Sequence, residues 1–97
     1  MNIGLDWDDT FTRDPIAWAA FCKLMTERGH KVYIVTWRYE GYEAEEVLAS
    51  VQYWKLEIEG VYCTGRKAKQ SFMFGKGICI DVMIDDTPHA WIRDMEM

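Results

Sequence analysis

Val32-Tyr33-Ile34-Val35-Thr36 is an unbroken apolar run, rich in β-branched residues, that stops on a hydroxyl. With no polar residue in its interior it reads as a strand covered on both faces, and such strands belong to parallel sheets. Upstream, Ile3-Gly4-Leu5 is a short first strand. Between the two, Asp14-Pro15 starts a helix as N-cap and first-turn proline, with Ala17, Ala20, Phe21, Leu24 and Met25 on one face and Gly29 at its end. Downstream, a polar loop from Thr36 to Tyr42 leads to a helix carrying Ala44, Val47, Leu48, Val51 and Trp54 at helical spacing. Glu43, Glu45 and Glu46 crowd the positive end of that helix and read as structural. Gly60 to Thr64 is a third strand, Lys67 to Phe74 a short helix and Ile80 to Ile84 a fourth strand, and Thr87-Pro88 opens a last helix through Trp91 and Ile92. Alternating strands and helices joined by right-handed crossovers predict a small three-layer α/β fold, with a central parallel sheet of about four strands and helices on both faces.

Ninety-seven residues suffice for one domain over positions 1–97 and leave no room for a second. Apolar residues make up 49%, too many for a disordered chain. The first residues lack the basic start and apolar stretch of a signal peptide, and no apolar run approaches the ~20 residues that span a bilayer, which predicts a cytoplasmic protein without membrane contact. Cys22, Cys63 and Cys79 are odd in number, lie in apolar segments and lack zinc-type spacing, so buried reduced thiols are expected. A net charge of −5 argues against a duplex-binding module, because that affinity comes from cations neutralising phosphates. A nucleotide or a nucleic-acid end remains open as substrate.

In open parallel sheets, ligands bind beyond the carboxyl ends of the strands. Asp6, Thr36, Thr64 and Asp85 all fall at such ends, with Asp8 and Asp86 close behind. Each pair of like charges ~4 Å apart costs about 4 kcal/mol at an effective dielectric of ~20, against a net stability of ~5–15 kcal/mol for a whole domain. A bound cation, protonation, or a sheet order that separates the two acidic strand ends must therefore offset the repulsion.

Asp6-Trp7-Asp8-Asp9-Thr10 resembles the DxDxT signature of the haloacid dehalogenase-like (HAD) phosphohydrolases, whose fold is Rossmann-like. Thr36 at its strand end, a lysine near 67–69, and Val82-Met83-Ile84-Asp85-Asp86 resemble the family's remaining motifs in order, so the likeness covers residues 3 to 88. The resemblance implies a Mg²⁺-dependent phosphatase working through a phosphoaspartate on Asp6, with Asp8 as acid and base. Asp6, Asp85 and the backbone carbonyl of Asp8 would hold Mg²⁺, and Asp86 would bind it through water or orient the others. Thr36 would donate to the phosphoryl oxygens and a lysine would neutralise transition-state charge. Lys69 is preferred for that lysine because Phe72 follows one turn later, with Lys67 the close second. Arg38, just after the motif threonine, would bind a phosphate oxygen.

Asp9 stands where many family members carry glycine, so its turn needs a conformation open to other residues; it could cap that turn and is given no chemistry. Asp81 is left without a role. The 25 residues between Thr10 and Thr36 and the 27 between Thr36 and Thr64 are consumed by predicted elements, so no cap domain fits. An uncapped site calls for the substrate, a partner or a second subunit of a homo-oligomer to cover it, and capless relatives often act on large substrates. Trp7, Trp37, Tyr39 and Tyr42 are placed on loops at this edge, where rings could stack on a base or simply pack beneath short loops. Two other classes compete: a receiver-like phospho-aspartate signalling domain, and a HAD-fold binding module without turnover. The receiver predicts an aspartate at the end of a middle strand, where this chain has Thr36 and Thr64.

Overall fold

The computed structural model describes residues 1–95. Strands β1 (Asn2–Leu5), β2 (Lys31–Thr36), β3 (Gly60–Cys63) and β4 (Val82–Ile84) form one parallel sheet in the order β3-β2-β1-β4. Helices α1 (Pro15–Glu27), α2 (Tyr42–Trp54) and α3 (Lys69–Gly75) connect them, with 3₁₀ turns at Phe11–Arg13 and Pro88–Trp91. The α/β fold with a parallel sheet is therefore the observed one.

Strand alternation divides the core. Ile3, Leu5, Val32 and Ile34 face one way and pack with Cys22 and Trp18 of α1 and Val47 and Val51 of α2. Tyr33 and Val35 face the other way and pack with Met73 of α3, beside Tyr62 and Met83. The sheet is thus covered on both faces, which explains why β2 has no polar residue in its interior. Gly4 belongs to the second face, where an added Cβ would lie 2.4 Å from Met83 Sδ, so the missing side chain makes room for the neighbouring strand. The Asp14 carboxylate accepts a hydrogen bond from Ala17 N–H at 3.2 Å and caps α1.

Several expectations are corrected at the element ends. The fourth strand begins at Val82 rather than Ile80, the third helix at Lys69 rather than Lys67, and the expected last helix is only the turn Pro88–Trp91. Asp81 has a structural role: its N–H donates to Asn2 C=O at 2.8 Å, and its carboxylate accepts the Asn2 N–H at 2.7 Å. Cys22 and Cys63 are buried free thiols, but Cys79 is exposed, because it lies in the connection between α3 and β4 rather than in the strand. Trp7 lies in the turn after β1, but its ring packs beneath that turn and is not free to stack on a ligand. The alternation of Ile3 and Leu5 continues past the strand, so its ring is buried and stacks on Phe11 at 4.2 Å between centroids. Among the described residues, no helix is long and apolar enough to cross a membrane.

Candidate functional site

β1 and β4 are neighbours in register, with Leu5 opposite Ile84, so the next residues, Asp6 and Asp85, leave the sheet side by side. A sheet order that keeps the two acidic strand ends apart is excluded. Alternation turns Asp6 away from the Leu5 and Trp7 side, and α3 brings Lys69 to meet it. The Lys69 ammonium lies 2.8 Å from Asp6 Oδ1 and 2.6 Å from Asp85 Oδ2, and the residue is 1% exposed. An ammonium so deeply buried persists only when paired and hydrogen-bonded.

Asp86 completes the cluster. Asp6, Asp85 and Asp86 can each present a carboxylate oxygen, all three within 4.8 Å of one another. Thr10 Oγ lies 3.1 Å from Asp6 Oδ2 and 3.2 Å from Asp86 Oδ1, and accepts the Asp86 N–H at 3.2 Å. The Thr87 N–H donates to Asp85 Oδ1 at 2.9 Å. With all groups ionised, three carboxylates and one ammonium sum to −2, the charge that a divalent cation cancels. The donor set is entirely oxygen, which suits a hard cation such as Mg²⁺.

The other candidate residues divide. Thr36 is buried at the end of β2, and its hydroxyl accepts the Arg38 N–H at 3.3 Å. The Asp8 carboxylate is not part of the acidic cluster: Arg38 holds it in a two-pronged pair, Nε to Oδ2 at 2.9 Å and Nη2 to Oδ1 at 2.7 Å. Arg38 is also tied to the Glu43 C=O at 2.9 Å and to the Glu46 carboxylate at 3.5 Å, so its guanidinium is engaged on several sides by the protein's own groups. Lys67 is placed away from the cluster, its side chain 69% exposed and 3.9 Å from Asp94, because it precedes α3 while Lys69 starts it. Asp9 sits at φ 62°, and it is its N–H, donated to Thr12 Oγ at 2.9 Å, that secures the turn. A cleft of about 520 Å³ joins Asp6, Asp8, Thr36, Arg38, Lys69, Asp85 and Asp86.

Three contributors were not assigned by sequence. Thr10 is the last position of the DxDxT pattern, which was the available signal for it. Glu43, read as a helix-end charge, also accepts the Tyr39 N–H at 2.7 Å and both Arg66 amino groups at 3.2 and 3.1 Å, tying the loops after β2 and β3 together. No sequence spacing announces that pairing. Trp37, Tyr39 and Tyr42 do lie beyond β2, but Trp37 donates its indole N–H to the Lys67 C=O at 3.0 Å, the Arg66 guanidinium stacks over Tyr39, and Tyr42 is the first residue of α2.

Burial pushes the Asp6 carboxyl up to about 7; Lys69 opposes that shift and Asp86 adds to it. Asp86 is held below its ordinary value chiefly by its hydrogen bond with Asp6, and Asp8 chiefly by its hydrogen bond with Arg38. The signs of the resulting stability changes are opposite. Between about pH 4 and 7 folded Asp6 keeps a proton that the unfolded chain has lost, so its contribution to stability falls as pH rises, by up to about 1.4 kcal/mol per unit. The contributions of Asp8 and Asp86 are complete above about pH 4 and lost below it. In EDTA, urea midpoints between about pH 5 and 7 should fall as pH rises, and Mg²⁺ should reduce the fall. A midpoint that rises over this window would contradict the arrangement.

Comparison of the chain with protein-family models, with curated proteins and with solved structures gives no match in any of the three.

Proposed function

We propose that the protein is a capless, Mg²⁺-dependent phosphatase of the haloacid dehalogenase-like type, acting through a phosphoaspartate on Asp6. One observation carries this reading: a buried lysine paired at once to Asp6 and Asp85, beside Asp86, at the carboxyl edge of a parallel sheet and open to a cleft. Mg²⁺ would be held by Asp6, Asp85 and Asp86, with the Asp8 carbonyl as a further donor, and would supply neutralisation of the negative charge gathered on the phosphoryl oxygens.

The chain's own residues divide the remaining work. A carboxylate oxygen of Asp6 attacks phosphorus, an O–P bond forms, and the bond to the leaving oxygen breaks. Asp8, freed from Arg38 and protonated from solvent, gives that oxygen its proton, then takes one from the water that attacks the phosphoaspartate, releasing phosphate and restoring Asp6. Thr36 and Lys69 stabilise the phosphoryl charge. Asp8 must first leave Arg38, and an incoming phosphoryl group offers the same guanidinium an equivalent pair of oxygens. The exchange lets Arg38 bind substrate while releasing the acid. The open cleft suits a large phosphorylated substrate, a nucleotide or a nucleic-acid end among them, with cover from that substrate or from a second subunit.

Hydrolysis of an aryl phosphate tests the reading. Turnover should require Mg²⁺, stop with EDTA, and return when the metal is restored. Turnover indifferent to EDTA, or none with Mg²⁺, would count against it. A receiver-like domain is disfavoured because β2 ends in Thr36 and β3 is followed by Thr64, neither of which is a phosphorylatable aspartate. A binding module without turnover predicts Mg²⁺ binding and no hydrolysis.

A further inference from the structure

The peptide unit between Lys67 and Ala68, one residue upstream of Lys69, is held by three side chains from three separate segments. Its C=O accepts the Thr64 hydroxyl at 2.9 Å and the Trp37 indole N–H at 3.0 Å. Its N–H donates to Asp94 Oδ1 at 2.6 Å. Thr64 follows β3, Trp37 follows β2, and Asp94 comes from the segment after the last 3₁₀ turn. That last segment is fastened in turn by the Met95 N–H, which donates to Arg66 C=O at 2.7 Å.

We propose that Trp37, Thr64 and Asp94 form a clamp that positions the Lys69 ammonium between Asp6 and Asp85. The helix itself does not provide this placement. α3 has seven residues, and its N-cap, Ala68, has no side chain that could bond the helix start. Ala68 is nearly buried, so without Asp94 its N–H would have little access to a replacement partner. The Asp94 negative charge at the start of α3 also suits the helix dipole. Lys69 is the first helical residue and only Ala68 separates it from the clamped peptide, so a shift of that peptide is passed on to its Cα. A shift of about 1 Å is enough to spoil contacts at hydrogen-bonding distance. Trp37, a candidate for base stacking by sequence, is thereby assigned to holding the lysine, as are Thr64 and Asp94.

The catalytic side of the inference rests on reading Lys69 as the cation of a phosphatase site; the clamp itself is measurable without turnover. Acetic anhydride, with mass-spectrometric rates for individual lysines in the full-length protein, reads whether Lys69 is held. In the wild type, Lys69 should react at least about tenfold more slowly than exposed Lys67, because its ammonium is buried and paired. Asp94→Ala and Trp37→Phe should each speed Lys69 about tenfold with the rate of Lys23, exposed on α1 away from the clamp, unchanged, and Asp94→Asn, which keeps the accepting oxygen, should return Lys69 to the wild-type rate. In parallel, kcat for the aryl phosphate should fall about tenfold with KM unchanged in the first two variants, as for other residues that orient a catalytic group. Wild-type Lys69 rates in both variants would overturn the clamp, and so would Lys23 and Lys69 rates rising together, which indicates general loosening. Absence of wild-type hydrolysis would overturn the phosphatase reading and leave the clamp decided by the acylation rates alone.

Discussion

Replacing Asp6 with asparagine is expected to lower kcat for aryl-phosphate hydrolysis by at least about 10³-fold, the scale on which removal of a nucleophile is felt. The substitution is nearly isosteric: the amide oxygen can keep the Lys69 bond made by Oδ1, and the amide nitrogen, in the place of Oδ2, can donate to the Thr10 hydroxyl. What disappears is the anionic attacking oxygen and one of the three carboxylates. The two losses should act oppositely on the molecule: turnover should collapse, while above about pH 7, where Asp6 is ionised, the fold in EDTA should gain stability because a buried charge has gone. Stopped assays with acid-quenched phosphoprotein, run beside urea melts in EDTA, read both. Wild-type turnover in Asp6→Asn would sink the covalent mechanism.

Lys69→Met should have the largest effect on folding. The thioether roughly fills the volume of the lysine stem but leaves Asp6 and Asp85 without their shared cation. Removing one partner from a buried ion pair typically costs about 3–5 kcal/mol, a large share of the ~5–15 kcal/mol of a small domain. On the proposed reading Mg²⁺ should bind the carboxylates left behind and recover part of that loss, so the gap between variant and wild type should narrow as the metal is added. Equal urea midpoints for the two proteins in EDTA would show that Lys69 does not hold the acidic edge together.

The fold was legible because its signals are local: an apolar run without polar interruption, a Pro-started helix, strands spaced by helices. What escaped was decided by contacts between distant residues. Trp7 lies in a turn, yet its ring is available for stacking only if alternation is assumed to stop with the strand, whereas that ring extends the inward row of Ile3 and Leu5. Cys79 looks interior from its apolar neighbours and is exposed because β4 starts later. Lys67 and Lys69 differ in sequence by little, yet Met73, one turn beyond Lys69 and fully buried, marks the face that turns inward. Arg38 and Asp8 illustrate the limit. Both were singled out, but no spacing could tell that, without substrate, each would have the other as partner.

The adjacency of β1 and β4 also has a kinetic meaning. Ile3 pairs with Val82, 79 positions later, while β1–β2 and β2–β3 join nearer parts of the chain. Contacts so far apart carry the largest loop-closure entropy and belong to the slow part of folding. A chain that has assembled only β1, β2 and β3 carries Asp6 without Asp85, Asp86 or a completed acidic edge. On the proposed reading, metal capture would wait for β4 to dock, and the rate of Mg²⁺ binding during refolding would serve as a clock for that step.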